Sequence, residues 1–269
     1  MLRSVEALED YAIRAADGDI GLVKDFFFDD KSWTVRYLIV ETGSWLSHRQ
    51  VLISPMSVGH TDWVERVIPV TITKAQVQDS PLIDARGPIS RQHEADYLAY
   101  YGYPDYWGGV GTWGETVGPT LLAQDGAGER DALAAVNAET FRLRRCELIA
   151  RYRIHASDGD IGHVESFLMD METWTLRYVI VNTSNWWLGH RAAIPVVLIA
   201  GVDWPNAKVS VRLSRDAVKT APHYNPAPEM DRTYEAAIHT HYGCQPYWIH
   251  EDAVGGPDSM WPTPSPARV

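Results

Sequence analysis

Short runs of apolar residues separated by turn-forming residues fill the first part of the chain, and their spacing predicts strands. One run leads into Asp17-Gly18-Asp19, where glycine and aspartate tolerate the positive φ angles of a tight hairpin turn. The runs that begin at Ile20 and Trp33 are rich in β-branched and aromatic residues, and the second alternates with the period of a half-buried strand. With shorter runs at 50–53 and 63–70, about five or six strands result, as in a small barrel or sandwich.

The periodicity then changes to that of helices. Thr73 and Gln76 have the spacing of a capping box, which predicts a short helix that ends at Ser80 and Pro81. Ser90 is placed to cap a second helix, which should stop at Gly102. A tail rich in tyrosine and tryptophan follows.

The whole pattern occurs twice, because the sequence from Asp17 onward matches the sequence from Asp158 onward, an offset of 141 positions. The same offset pairs Trp33 with Trp174, Tyr37 with Tyr178, Trp63 with Trp204, Glu94 with Glu235 and Trp107 with Trp248. A helix from Arg232 to Tyr242 that stops at Gly243 is therefore predicted. A residue that only the fold needs should appear in both copies, whereas a residue in one copy is a candidate for another role.

The predicted fold class is mainly β, with two tandem small β-barrels, each followed by short helices and an aromatic tail. Residues 1–107 form the first predicted domain with its helical extension, and residues 142–248 form the second. Residues 108–141 are predicted to be a linker and a connecting helix that continues to Cys146, and 249–269 a proline-rich tail.

Composition and charge narrow the classes of function. Hydrophobic residues make up 45% of the chain and the formal net charge is -11, so the protein should be globular and nucleic-acid binding is disfavoured. Only two cysteines occur, Cys146 and Cys244, and neither has a cysteine counterpart in the other copy. With no transmembrane segment and no signal-peptide pattern in the sequence, a cytoplasmic protein is expected.

Several of these features together carry a resemblance to a known family. These features are Glu6-Ala7-Leu8, the hairpin at 17–21, the strand that ends at Asp29, the strand that contains Arg36 and Tyr37, the His48-Arg49 pair before a proline-containing strand, and the helix caps, with their counterparts in the second copy. Each copy thereby resembles a PRC-barrel domain, the β-barrel shared by the H subunit of the photosynthetic reaction centre and a ribosome maturation factor. The resemblance covers residues 1–85 and 142–226, and the aromatic tails resemble those of some bacterial stand-alone members. It implies an interaction or assembly module, and it carries over no catalytic residue.

The polar motifs support chemistry only weakly. Asp17 and Asp19 resemble calcium ligands, but the intervening glycine and the absence of a third acid favour a turn. His48-Arg49 and His190-Arg191 recur beside tryptophans, with a one-residue register slip. The alternatives are an anion site, a general-base pair and an ordinary folded loop. His239 and His241 have a poor spacing for a metal site and are expected to be solvated. No enzyme activity, cofactor or metal is predicted.

The candidate interaction residues fall into three groups. The first is the aromatic tails, Tyr101, Tyr106, Trp107, Tyr242, Tyr247 and Trp248, which either cap the barrels or form an exposed patch. The second is the two His-Arg pairs. The third is the group of arginines before the second copy, Arg142, Arg144, Arg145, Arg151 and Arg153, which form a docking patch for an acidic partner or a solvated face.

The predicted function is a non-enzymatic scaffold or adaptor for an unidentified protein partner. Peripheral contact with a membrane complex and homo-oligomerisation both stay open. One alternative is a small-molecule or metal-responsive binding protein, with a pocket between the barrels lined by unpaired tryptophans and the His-Arg loops. Another is a ribosome-associated assembly factor. The residues unique to one copy, including Trp113, Trp187 and the cysteines, are the expected place of any specialised role.

Overall fold

The computed structural model describes residues 1–82, 89–107, 113, 116, 118–119, 143–183, 190–227 and 230–249. Its architecture is mainly β, with one large sheet and several short helices, which confirms the predicted fold class. The predicted tail from 250 onward, Arg142 and Trp187 lie outside the described residues.

The described residues of the first half form six strands and three α-helices. They are β1 (Leu2–Ser4), α1 (Val5–Leu8), β2 (Ala12–Ala15), β3 (Gly18–Asp29), β4 (Thr34–Thr42), β5 (Gln50–Ile53), β6 (Val67–Pro69), α2 (Lys74–Asp79) and α3 (Arg91–Tyr101). The second half has the same order of elements with one more strand. They are β7 (Leu143–Arg145), α4 (Cys146–Ile149), β8 (Arg153–Ala156), β9 (Gly159–Asp170), β10 (Thr175–Asn182), β11 (Arg191–Pro195), β12 (Ile199–Asp203), β13 (Lys208–Val211), α5 (Arg215–Lys219) and α6 (Arg232–Tyr242).

Local sequence signals explain most of these boundaries. The capping box of Thr73 and Gln76 is present at α2, and Ser90 caps α3, which ends at Gly102 in the left-handed conformation. The repeated Asp17 has a related task, because its carboxylate accepts a hydrogen bond from the Lys74 amide at the start of α2, at 2.8 Å. Asp158 accepts one from Arg215 in the same way, at 2.7 Å. The turn aspartates therefore act as helix caps.

The long hairpins also require glycine at one point in each half. A Cβ atom on Gly21 would lie 2.0 Å from the Glu41 carbonyl oxygen, and one on Gly162 would lie 2.1 Å from that of Asn182. The neighbouring backbone fills the space that a side chain needs. Only glycine permits the two strands to cross so closely.

The two halves exchange their first strands. β1 pairs antiparallel with β9 of the second half, where Leu2 lies opposite Asp170. Reciprocally, β7 pairs with β3 of the first half, where Leu143 lies opposite Asp29. Each long strand therefore receives an edge partner from the other half. The division into two successive domains stays a prediction, and each of these segments contributes a strand to its neighbour.

A second contact joins the halves through the sheet itself. The strands β4 and β10 meet at Thr34 and Thr175, and the Val35 amide donates to the Trp174 carbonyl at 2.7 Å. The Leu176 amide donates to the Trp33 carbonyl, also at 2.7 Å. The result is a 13-stranded sheet in the order β12-β13-β8-β9-β10-β4-β3-β2-β6, with β1, β5, β7 and β11 paired at its sides.

The hydrophobic core crosses this junction. Phe28 of the first half stacks on Trp33 with ring centroids 5.3 Å apart, and both contact Phe167 of the second half within 6.2 Å. The principal cluster of buried residues has members from both halves. Two smaller clusters lie outside it, one under α3 and one under α6. Burial of apolar surface therefore couples the halves as well as stabilising each of them.

Two sequence predictions are wrong. The connecting helix was expected to reach Cys146, yet Leu143–Arg145 is the strand β7, because these residues find a sheet edge on the other half. The register slip near the His-Arg pairs is also absent. Thr42 bonds to the Arg49 carbonyl and Thr183 to the His190 carbonyl, so the offset of 141 continues without interruption.

Candidate interaction surfaces

The aromatic tail of the first half is anchored on a buried carboxylate. Glu94 of α3 is buried, and its oxygens accept hydrogen bonds from the hydroxyls of Tyr37 and Tyr106. The Arg91 guanidinium lies 3.1 Å from the same carboxylate. Burial raises the pKa of Glu94, and Arg91 opposes that rise. Tyr106 thus fixes the tail to the sheet through a polar contact shielded from water.

The second half repeats this arrangement. Glu235 is buried and accepts hydrogen bonds from Tyr247 at 2.8 Å and from Tyr178 at 3.0 Å, and Arg232 lies 3.3 Å away. Because both halves keep the arrangement, it belongs to the fold. The glutamates were recognised in the sequence as a repeated pair, but their contacts with the tyrosines depend on tertiary packing.

The tail tryptophans are covered by arginines. The Arg91 guanidinium carbon lies 4.4 Å from the ring centroid of Trp107, and that of Arg232 lies 4.2 Å from Trp248. Both tryptophans are half-buried. Tyr101 and Tyr242 are half-buried too and pack against the principal core. The tail residues therefore contact their own half first and leave only part of each indole for other contacts.

One part of the tail differs between the halves. Positions 98 and 103 are Leu and Tyr, whereas the equivalent positions 239 and 244 are His and Cys. His239 is buried, with Nε2 2.9 Å from the Tyr178 hydroxyl and Nδ1 3.3 Å from the Cys244 sulfur. Burial lowers the pKa of His239 and raises that of the Cys244 thiol. The expectation of a solvated His239 is wrong, because α6 turns this position toward the sheet; His241 is exposed as expected.

The two His-Arg pairs do not form equivalent sites. Arg49 and His190 occupy equivalent positions, and each contacts a carbonyl near the end of a helix. Arg49 contacts that of Val77 in α2 at 3.2 Å, and His190 contacts that of Val218 in α5 at 3.3 Å. His48 is exposed. Arg191 instead forms an ion pair with Glu165 at 2.8 Å. The apparent recurrence of His-Arg is therefore a coincidence of sequence, and the shared task is a contact with a helix end.

Two of the described arginines at the entry to the second half, Arg144 and Arg145, contact the first half, whereas Arg151 and Arg153 are exposed. Arg145 Nε lies 2.7 Å from the buried carboxylate of Asp25, and Arg144 Nε lies 3.1 Å from Asp30. At the equivalent joint, where β1 meets β9, the two serines Ser4 and Ser166 lie 3.2 Å apart. The asymmetric charges thus distinguish the two strand exchanges from each other. The sequence analysis did not identify Asp25. The available signal was that Asp25 and Arg145 are both serine at the equivalent positions of the other copy, Ser166 and Ser4.

Trp113 also joins the halves. This tryptophan is buried, and its indole N–H donates to the Thr173 carbonyl of the second half at 2.9 Å. Its ring lies 4.7 Å from the guanidinium carbon of Arg36, which is itself buried and lies 3.8 Å from the Tyr106 ring. A residue unique to one copy therefore serves the junction between the halves.

A cleft of 340 Å³ lies where α1 and α4 meet β9. Its charged and histidine lining comes from both halves: Glu6, Glu9, Glu147, Arg151, His163 and Glu165. Burial raises the pKa of Glu9, and the neighbouring carboxylates add to that rise. The lining contains no tryptophan and no residue of the His-Arg loops, so this cleft is a different site from the pocket predicted between the barrels, which stays a prediction.

A metal site and a membrane-spanning helix are both absent from the part of the chain that the structure describes. No group of three or more His, Cys, Asp or Glu side chains there is arranged to hold a metal ion. Among the same residues, no helix has the length and apolar character needed to cross a membrane.

Comparison with known proteins gives one family. Residues 4–77 match the model of the PRC-barrel domain, so the match runs from the last residue of β1 into α2 and does not include α3 or the aromatic tail. No curated protein matches the chain. The resemblance seen in the first copy is thereby supported by an independent comparison.

Proposed function

We propose that the protein is a non-enzymatic interaction module in which two PRC-barrel domains act as one scaffold for a protein partner. The observation that carries this proposal is the family match at residues 4–77, because PRC-barrel domains are interaction modules. The common order of elements in the two halves supports a second domain of the same kind. The strand exchange makes the scaffold a single unit that presents both halves together.

The contacts within the polar clusters support a structural role for these side chains. Glu94 and Glu235 each hold the aromatic tail of their own half, and Asp25 is paired with Arg145. Burial raises the pKa values of the Cys146 and Cys244 thiols, which disfavours the nucleophilic thiolate. The paired carboxylates and the buried thiols therefore favour an assembly function over a catalytic one.

Affinity capture with the whole chain tests the proposal. The folded chain is immobilised, exposed to extract from the organism that encodes it, and the retained proteins are quantified by mass spectrometry. We expect one specific protein, which is then purified and whose binding is measured by calorimetry. Retention of none, together with a thermal shift on addition of divalent metals or small metabolites, contradicts the proposal and favours a small-molecule or metal-responsive binding protein.

Paired variants locate the surface. Trp107→Ala and Trp248→Ala remove the half-buried indoles, whereas Tyr106→Phe removes only the internal hydrogen bonds with Glu94 and Arg91. If the tails contact the partner, the tryptophan variants weaken binding while Tyr106→Phe leaves it unchanged. Equal binding by all three variants excludes the tails as the interaction surface.

A further inference from the structure

The last strand of the sheet has an open edge. β12 is the terminal strand in the sheet order, and among the described strands it pairs only with β13. Ala200 and Gly201 of this strand are exposed, and Val197 in the turn just before it is 59% exposed. The free edge of a strand presents backbone N–H and C=O groups to which a further strand can hydrogen-bond.

The equivalent segment of the first half is different. All three residues of its turn, Pro55–Ser57, are buried, whereas none of Val196–Leu198 is buried. The strand position is occupied by 58–62, which forms only isolated bridges and exposes His60 where the second half has Gly201. Among the described strands, the open apolar edge therefore belongs to the second half alone.

Charge indicates which partner fits this edge. The chain has a formal net charge of -11, so two copies repel each other over most surfaces. Ala192 to Val202 nevertheless contains no charged residue. Two copies can therefore approach here without facing like charges. In an antiparallel pair centred on Gly201, the first charged residue, Asp203, lies opposite Ile199 of the other copy.

The molecule already uses this kind of contact internally. The halves meet where β4 and β10 pair antiparallel at a single point, and the sheet continues across the junction. A twofold axis between two β12 edges extends the same sheet from one chain to the next and leaves no second β12 edge open. A closed pair results, because each chain has only one exposed edge of this composition among its described strands.

We propose that the chain self-associates through β12, forming an antiparallel strand pair with β12 of a second copy, with Val197 and its neighbours covering the apolar flank. The partner is a second copy of this chain, in contrast to the heterologous protein of the proposed function. The two ideas are independent, since a monomeric chain can still act as a scaffold and a dimer can lack another partner.

Light scattering coupled to gel filtration tests the association. The whole chain should have twice the mass of one copy, and Gly201→Lys should restore the mass of a monomer. A side chain fits at Gly201 because an added Cβ has no atom within 4 Å, and lysine places two like charges face to face. His60→Lys makes a comparable charge change at the equivalent position of the first half and should leave the dimer intact.

A cross-link tests the register. In a Cys244→Ser background, whose other cysteine is buried, Gly201→Cys should form a disulfide between two copies under mild oxidation, whereas His60→Cys should not. A monomeric wild-type chain overturns the proposal, as does a dimer that survives Gly201→Lys or is lost in His60→Lys. A lysine-sensitive dimer with no cross-link overturns the register centred on Gly201.

Discussion

Asp25 and Arg145 show how one charged pair makes one strand exchange differ from the other. The carboxylate of Asp25 also accepts the amides of Phe26 and Glu147, at 2.7 and 3.1 Å. Burial raises the pKa of Asp25, and the hydrogen bond from Arg145 opposes that rise. A buried carboxylate that loses its cation keeps its desolvation cost without the compensating attraction.

Arg145→Ser should therefore lower the free energy of unfolding by about 3 kcal/mol, measured by urea denaturation. The matched control is Arg145→Ser combined with Asp25→Ser, which recreates the Ser4 and Ser166 pair of the other joint. It should recover most of the loss, because no buried charge stays unpaired. A single variant as stable as the wild type, or a double variant as unstable as the single one, contradicts this account.

His239 gives the second half a pH dependence that the first half lacks at this position, where Leu98 stands. Burial holds the folded-state pKa of His239 below its unfolded value of about 6.5. Between these values the unfolded chain binds a proton that the folded chain does not. Stability is therefore retained above pH about 6.5 and decreases as the pH falls through that value.

His239→Leu should reduce this decrease, because leucine does not titrate. The measurement is the change in melting temperature between neutral and mildly acidic buffer, compared with His241→Leu, which alters an exposed histidine of the same helix. We expect a smaller change for His239→Leu and a wild-type change for His241→Leu. Identical profiles for all three proteins show that His239 does not set the acid sensitivity.

At the scale of elements, hairpins and helix caps followed from sequence because their partners are near in the chain. Thr73 and Gln76 are three positions apart, and the hairpin of β2 and β3 needs only its turn. The three-residue strands β1 and β7 escaped sequence reasoning because neither has a periodic pattern long enough to detect. Their strand character comes from the edge of the other half.

Deletion of residues 1–4 removes β1 and tests whether this strand pairs with β9 of the other half. Without β1, the segment Leu168–Asp170 of β9 loses its edge partner, although it lies in the half that was not altered. Hydrogen exchange should accelerate there, while Phe27 and Phe28, which pair with β7, keep their protection. Faster exchange confined to the first half is incompatible with the strand exchange.

At the scale of the whole molecule, the two halves share a core and two exchanged strands, so neither is complete alone. A chain cut after residue 119 gives two fragments that each lack a strand. We expect the fragments to associate with each other when coexpressed, with Arg145 opposite Asp25 favouring the mixed pair. Each fragment alone should be unfolded or self-paired, as shown by its mass and circular dichroism. A folded monomeric fragment contradicts this expectation.

The sequence by itself determined the strand-rich fold, the turns, the helix caps and the internal duplication, because these depend on local periodicity and on residues close in the chain. Tertiary structure alone decided that β1 and β7 cross between the halves, that Trp113 lies at the junction, and that β12 pairs with only one of the described strands. The tertiary structure also gave the residues of the two His-Arg pairs different contacts. These outcomes depend on which distant edges find a partner, and that depends on shape and burial across the whole chain, which no local pattern contains.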